Sequence, residues 1–307
     1  MKNLIYILSF LILILACDGK QDEELYILDI KYFPERNSDF SLWQLEQFKG
    51  ISQMGYILRT DDNRVVVVDG GSSEITDLIH NYILQLGGRV HYWILTHPHQ
   101  DHVGALYQLL KNNSEITIER VIHTKLDLEL IKKHEPNSHS FISNFYSTLD
   151  SSDFLQMDFK SGREILLGEG VLLKILGDKN PNILTNLVNN SSLVFQIKSK
   201  SKTVLFTGDL GEEGGNDLLH NISWEDLKST HVQMAHHGQA GVTKEFYSKV
   251  QAKVALWPTP KWLWENNLKA KGYNSGEWKT ITVRNWMNDL EVEKNLVSGL
   301  EGTIQID

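Results

Sequence analysis

Thr96-His97-Pro98-His99-Gln100-Asp101-His102-Val103-Gly104 packs three histidines and one aspartate into the six residues His97-x-His99-x-Asp101-His102. An apolar run, Tyr92-Trp93-Ile94-Leu95, leads in, and a helix-like segment from Val103 to Leu110 leads out. A buried strand that turns and then enters a helix leaves these side chains at its C-terminal edge, where open α/β sheets bind ligands. Imidazoles and a carboxylate gathered there are ligands for zinc or a similar divalent ion. A polar loop with accidental histidines has no need of four ligand-type residues at these offsets.

Other strand ends carry similar residues. Arg64 to Val68 holds four consecutive valines, reads as a buried central strand, and ends in Asp69-Gly70-Gly71. Val204 to Phe206 is closed by Thr207-Gly208-Asp209, and Val232-Gln233-Met234 runs into Ala235-His236-His237-Gly238. A carboxylate such as Asp209 has two oxygens and can hold two cations a few ångströms apart.

Taken together, these residues resemble the metallo-β-lactamase superfamily, whose signature is a His-x-His-x-Asp-His loop after a strand. The resemblance implies an α/β chain folded as a four-layer αβ/βα sandwich, with metals at the seam between two sheets. It implies two divalent ions, Zn2+ first, with Mn2+ or Fe2+ as alternatives. His97 and His99 would hold one ion; Asp101, His102 and His237 would hold the other; Asp209 would be shared. Asp69 would support the histidine loop by hydrogen bonds from behind. The histidine that the family usually supplies between His102 and Asp209 is missing. Its place is taken by Asn189-Asn190-Ser191-Ser192-Leu193-Val194, and Asn189 offers only a weak neutral oxygen. Asn followed shortly by Ser-Leu-Val is similar to the branch containing the ComEC competence-protein hydrolase domain and phosphorylcholine esterases. That likeness spans about Tyr26 to Asp307, although the branch's early Gly-Gln-Gly-Asp motif is absent.

The activity implied is metal-dependent hydrolysis of a phosphodiester or related phosphate ester, small or polymeric. A water bridging the metals would be the nucleophile. Asp101 and His236 are the expected catalytic residues, with His236 protonating the leaving group or binding a substrate oxygen. Hydrolysis of β-lactams or lactones is a competing reading, ranked lower because those enzymes usually keep the missing histidine. A non-catalytic binding lipoprotein is a third, weakened by the retention of six ligand-type residues.

A net charge of −9 and a pI near 5.7 argue against a general nucleic-acid binder. Cys17 is the only cysteine, so disulfides within the chain and Cys-rich zinc ribbons are excluded. It follows Met1-Lys2, an apolar run from Leu4 to Leu15, and Ile14-Leu15-Ala16, which together resemble a bacterial lipoprotein signal. Residues 1–17 are then the signal, 18–24 a polar tether, and 25–307 the hydrolase domain. The expected location is the bacterial cell envelope, with the chain held to a lipid bilayer through acylated Cys17.

Leu25 to Tyr32 reads as a first strand and Phe33 to Gly50 as irregular. Ser72 or Ser73 is placed to cap a helix reaching Leu86, Glu115 to His123 alternates as a strand, and Leu126 to Asp150 is mainly helical. His134 and His139 lie in a polar stretch and read as surface. Among Trp257, Trp262, Trp264, Trp278 and Trp286, most read as core or lid. Trp262, with Lys261 beside it, is the candidate for an aromatic wall that meets a phosphate-bearing substrate. One outcome follows from the N-terminus: wild type should incorporate radiolabelled fatty acid and Cys17→Ser should not, and equal labelling of the two would remove the lipoprotein assignment.

Overall fold

The computed structural model describes residues 39–112 and 114–306. The signal segment with Cys17, the tether and the expected strand Leu25 to Tyr32 lie outside the described residues. The first half of the chain runs β1 (Phe40–Gln44), β2 (Gly55–Thr60), β3 (Val65–Asp69), α1 (Thr76–Gln85), β4 (Arg89–Val90), β5 (Tyr92–Ile94), α2 (Gln100–Lys111), β6 (Thr117–Ile118), β7 (Arg120–Ile122), α3 (Leu128–His134), α4 (Pro136–Asp150) and β8 (Leu155–Met157). The second half runs β9 (Glu164–Gly168), β10 (Val171–Gly177), β11 (Val194–Lys198), β12 (Thr203–Phe206), α5 (Glu212–Asn221), β13 (His231–Gln233), α6 (Lys244–Val250), β14 (Val254–Pro260), α7 (Lys261–Trp264), α8 (Thr280–Asp289), β15 (Lys294–Val297), α9 (Ser298–Glu301) and β16 (Ile304–Ile306).

Two seven-stranded sheets form, in the orders β16-β1-β2-β3-β5-β7-β8 and β15-β14-β13-β12-β11-β10-β9. Each is an antiparallel meander that turns parallel at one strand, β3 in the first sheet and β12 in the second. The layering follows from the period of two along each strand. Val66 and Val68 enter the core between the sheets, while Val65 and Val67 face the helices of the first half. In β12, Val204 and Phe206 face the other sheet and Leu205 faces the second set of helices. Every strand near the centre must therefore be apolar on both faces, which is why β3 reads as an unbroken valine run. The result is the αβ/βα sandwich.

Three local expectations differ from the structure. A strand, β1, occupies part of the stretch read as irregular. Its alternation is masked because Gln44, though polar, is wholly buried: its Nε2 donates to Leu296 O at 3.1 Å and its Oε1 accepts from Tyr56 OH at 2.9 Å. The helix after Asp69 begins at Thr76 behind a 3-10 turn, without a serine cap, because Ser72 Oγ donates instead to Gln53 Oε1 at 2.7 Å. The strand expected over Glu115 to His123 divides into β6, which pairs with β4 in a separate two-stranded sheet, and β7, which pairs with β5 and β8.

The inter-sheet core is densest at Phe206, fully buried with Phe195 stacked 5.0 Å away and Tyr56 edge-on at 5.2 Å. Phe206→Ala should cost about 3–5 kcal/mol through lost burial and a residual cavity, read as a lowered denaturant midpoint. Leu166→Ser, at a side chain 63% exposed, should move the midpoint little. Similar losses from both would contradict this layering.

Candidate metal centre

The residues of interest leave the C-terminal ends of β3, β5, β12 and β13. Asp69 closes β3 with a left-handed backbone, φ 58°, and its carboxylate is wholly buried. Its Oδ1 accepts from Thr96 N at 2.7 Å, and its Oδ2 from Thr96 Oγ1 and His102 Nδ1, each at 2.8 Å. At the end of β12 the chain must pass against that loop. Gly208 sits at φ 53°, and a Cβ there would come within 2.8 Å of both Ser192 Oγ and Thr96 Cβ. The turn delivers Asp209, whose amide donates to Ser192 Oγ at 3.1 Å.

Asp209 Oδ1 lies 3.3 Å from His102 Nε2, and its Oδ2 lies 3.9 Å from His97 Nε2, 3.6 Å from His237 Nε2 and 3.8 Å from His236 Nε2. Asp101 Oδ2 is 3.1 Å from His237 Nε2 and 3.9 Å from His102 Nε2. Ligand atoms of Asp101, His102, Asp209 and His237 all lie within 4.8 Å of one another. His97 Nε2 and His99 Nδ1 face each other at 3.0 Å. The structure thus brings together all six residues expected as ligands, from positions more than a hundred residues apart.

The outward contacts of the rings decide what the inward nitrogens offer. His102 gives its Nδ1–H to Asp69, His237 gives its Nδ1–H to Pro258 O at 2.9 Å, and His97 Nδ1 meets Thr96 Oγ1 at 3.1 Å. His99 Nε2 meets Glu135 Oε2 at 3.2 Å. Each neutral ring so held turns an unshared pair inward. Two such pairs 3.0 Å apart, as at His97 and His99, repel unless a proton or a cation sits between them. His102 Nε2, Asp209 Oδ1 and Asn189 Oδ1 are buried with no hydrogen-bond partner, a costly state for polar atoms that a ligand would relieve. The donor set of imidazole and carboxylate fits divalent metal ions.

Electrostatics point the same way. Burial opposes charge on His102, yet the carboxylates of Asp209, Asp69 and Asp101 outweigh it and hold the ring's pKa well above the ordinary range. His237 is raised for the same reason, burial being overcome by Asp209 and Asp101. Burial also opposes charge on Asp209 and Asp101, but the surrounding histidines hold both carboxyls below the usual range. His97 is pushed well down by burial and by its neighbour His102.

His236 and His237 both adopt left-handed backbone, φ 49° and 55°, a strain common at functional sites. They differ in surroundings. His237 is buried and pinned at both nitrogens, while His236 is 27% exposed and touches Ala240 O only at 3.5 Å. Burial lowers the His236 pKa.

Asn189 lies in a buried 3-10 turn, with Val188 N donating to Glu135 Oε1 at 2.8 Å on one side and Ser192 on the other. Nothing around Glu135 in the sequence marks it as part of a site. Trp262 starts α7 with Lys261, meets Trp278 edge-on at 5.0 Å, and donates its Nε1–H to Gly50 O at 2.7 Å. The same loop reaches the centre, because Met54 N donates to Asp101 O at 3.0 Å. Lys261 is exposed, with Glu265 Oε1 3.9 Å from its Nζ. Trp257 is core, with Trp264 and Trp286 packed in the same cluster. His139 shows no contact with the centre, and neither does His134.

A profile of the metallo-beta-lactamase superfamily matches residues 50–255, more than half of the chain. The chain belongs to the metallo-beta-lactamase superfamily. Within it, the chain is 27% identical to ComE operon protein 3 of Bacillus subtilis over 172 residues, which are 53% of this chain and 19% of that protein. The superfamily member YhfI of Bacillus subtilis superposes with a TM-score of 0.53 at 13% identity, covering 88% of this chain and all of the other. CmlA beta-hydroxylase gives the same TM-score at 12% identity over 90% of this chain and 54% of its own. These structures share the fold, the sequence similarity is to one part of ComE operon protein 3, and the chain carries a candidate site for divalent metal.

Metal binding must expel the protons that the carboxylates hold on His102 and His237, since a metal takes the neutral nitrogen. Affinity for Zn2+ should therefore fall as pH drops below these raised values, by about tenfold per pH unit for each proton displaced. Calorimetry in buffers of different ionisation enthalpy measures the release. Binding that is pH-independent between mildly acid and mildly alkaline conditions would show that these rings do not take the metal.

Proposed function

We propose that the chain is a dinuclear metallohydrolase acting on phosphodiesters or related phosphate esters. One observation carries this reading: His97, His99, His102 and His237 each anchor one ring nitrogen outward, and the inward nitrogens of His102 and His237 face Asp101 and Asp209 while those of His97 and His99 face each other beside Asp209. His97 Nε2, His99 Nδ1 and Asp209 Oδ2 would hold one ion, with Asn189 nearby in place of a stronger ligand. Asp101, His102, His237 and Asp209 Oδ1 would hold the other. Zn2+ suits this mixture best, with Mn2+ or Fe2+ as alternatives. When bound, such ions supply Lewis acidity, lowering the pKa of water and offsetting charge on substrate oxygens.

The chain's own residues do the rest. Asp69 orients His102 and, through Thr96, the start of the histidine loop. Asp101, partly exposed beside His237, both completes the ligand group and borders the cleft. His236 is partly exposed and turns its Nε2 toward Asp209 at 3.8 Å, so that nitrogen can carry a proton to a leaving oxygen. Burial makes it a stronger acid when protonated. Asn189 leaves the first ion less saturated, which suits a substrate with several anionic oxygens. Lys261 can meet a phosphate, and Trp262 with Trp278 offers an aromatic face next to it. Likeness to the ComEC-like branch supports phosphate esters over acyl substrates. Acylated Cys17 would tether this activity to a bilayer in the cell envelope.

His236→Ala should lower turnover of bis-p-nitrophenyl phosphate by about 10²–10⁴-fold with metal content near that of wild type. His237→Ala should lower both. Elemental analysis and rates on the two variants check the assignment; loss of metal in His236→Ala alone would reverse it. Ready cleavage of a β-lactam or lactone without any phosphodiester cleavage would replace the proposal with acyl hydrolysis. Metal uptake without turnover of any of these would favour a binding protein.

A further inference from the structure

Glu135 stands between α3 and α4, and Pro136 begins the second helix. A residue before proline is driven out of the right-handed helical region, and Glu135 has φ −138° and ψ 61°. The helical segment therefore breaks there, and the carboxylate at the break is used at both ends. Its Oε2 lies 3.2 Å from His99 Nε2, and its Oε1 accepts from Val188 N at 2.8 Å. One side chain joins the histidine loop of the first half to the turn that carries Asn189 in the second.

The geometry points to Glu135 as the positioning residue of the His97/His99 metal site, fixing His99 in the tautomer whose Nδ1 is free and holding the Asn189 turn against it. This rests on the two-ion reading above. The chemistry is specific to a carboxylate. Both of its oxygens are acceptors, and both face N–H donors. In the neutral His99 ring, a proton on Nε2 leaves the Nδ1 pair facing His97 Nε2 at 3.0 Å. A carboxylate behind a ligating imidazole also raises its basicity. That matters most at a site where a neutral asparagine stands in place of a histidine. Glutamine has the same shape but only one acceptor. If its oxygen keeps Val188 N–H, its NH2 faces His99 Nε2 and favours the opposite tautomer, with the Nδ1 proton blocking the metal. If its oxygen turns to His99, Val188 N–H meets another donor.

The experiment has two arms on Glu135→Gln, with Glu135→Asp as the second variant. Zn2+ competition against a chromophoric chelator should show one ion weakened about 10–100-fold and the other, held by Asp101, His102, Asp209 and His237, unchanged. Retention of that ion shows that the variant is folded. In the metal-free protein, 15N NMR of the histidine rings should show His99 protonated at Nε2 in wild type and shifted toward Nδ1 in Glu135→Gln. Glu135→Asp restores both acceptors and should recover part of the affinity; it decides the matter if Glu135→Gln does not fold. Unchanged affinity for both ions, or an unchanged His99 tautomer, would overturn the proposal. If wild type binds only one ion, the two-ion reading fails, and the His99 nitrogen signal still decides whether Glu135 sets the ring.

Discussion

Charge buried without compensation is too costly for a folded chain to carry, and this one buries Asp69 and Asp209 almost completely at the ends of two central strands. The arrangement around them is the response. Asp69 is satisfied within the protein, by Thr96 and His102. Asp209 is balanced by the charge of the histidines around it, with His102 Nε2 3.3 Å from its Oδ1, but that oxygen makes no well-aligned hydrogen bond. The difference separates a carboxylate that builds a site from one that remains available to a ligand.

The two halves of the chain repeat one plan, a meander followed by parallel strands, and each places a carboxylate after its first parallel strand and histidine after the next. Asp69 and His97 to His102 follow β3 and β5; Asp209 and His236-His237 follow β12 and β13. Because parallel strands all end on the same edge, packing the two sheets face to face brings these loops together at one seam. The last strand, β16, pairs with β1 across almost the whole sequence, so the chain's C-terminal end closes the sheet of the first half.

Departures from the family's usual ligand set are met locally. Asn189 lacks the donor strength of imidazole, and the carboxylate of Glu135 stands behind both its turn and His99. Burial opposes ionisation of Glu135, but hydrogen bonds from His99 and Val188 outweigh it and hold its pKa below the usual value. On the opposite side, Pro258, Thr259 and Asp101 pin His237, while His236 is held only by the longer contacts to Ala240 and Asp209. Adjacent residues with the same side chain thus acquire different chemistry from their contacts alone.

The gathering of ligand-type residues was legible in the sequence because His97 to His102 is a short-range signal, and Asp69, Asp209 and His237 each end an apolar strand. The sandwich was expected from the family resemblance those residues carry, and the valine run of β3 marked only a strand buried on both faces. Strand β1 was not legible: Gln44 falls on the face of Phe40 and Leu42, where an apolar side chain is expected, and its burial depends on Tyr56 and Leu296, partners that only the packed sheet supplies. Glu135 was not legible either, because it lies 36 residues from His99 and 53 from Val188. Residue types and spacing determine which atoms can bind a metal. Ring tautomers, the unsatisfied oxygen of Asp209 and the split between His236 and His237 are set by non-local hydrogen bonds, which exist only once both sheets have closed on each other.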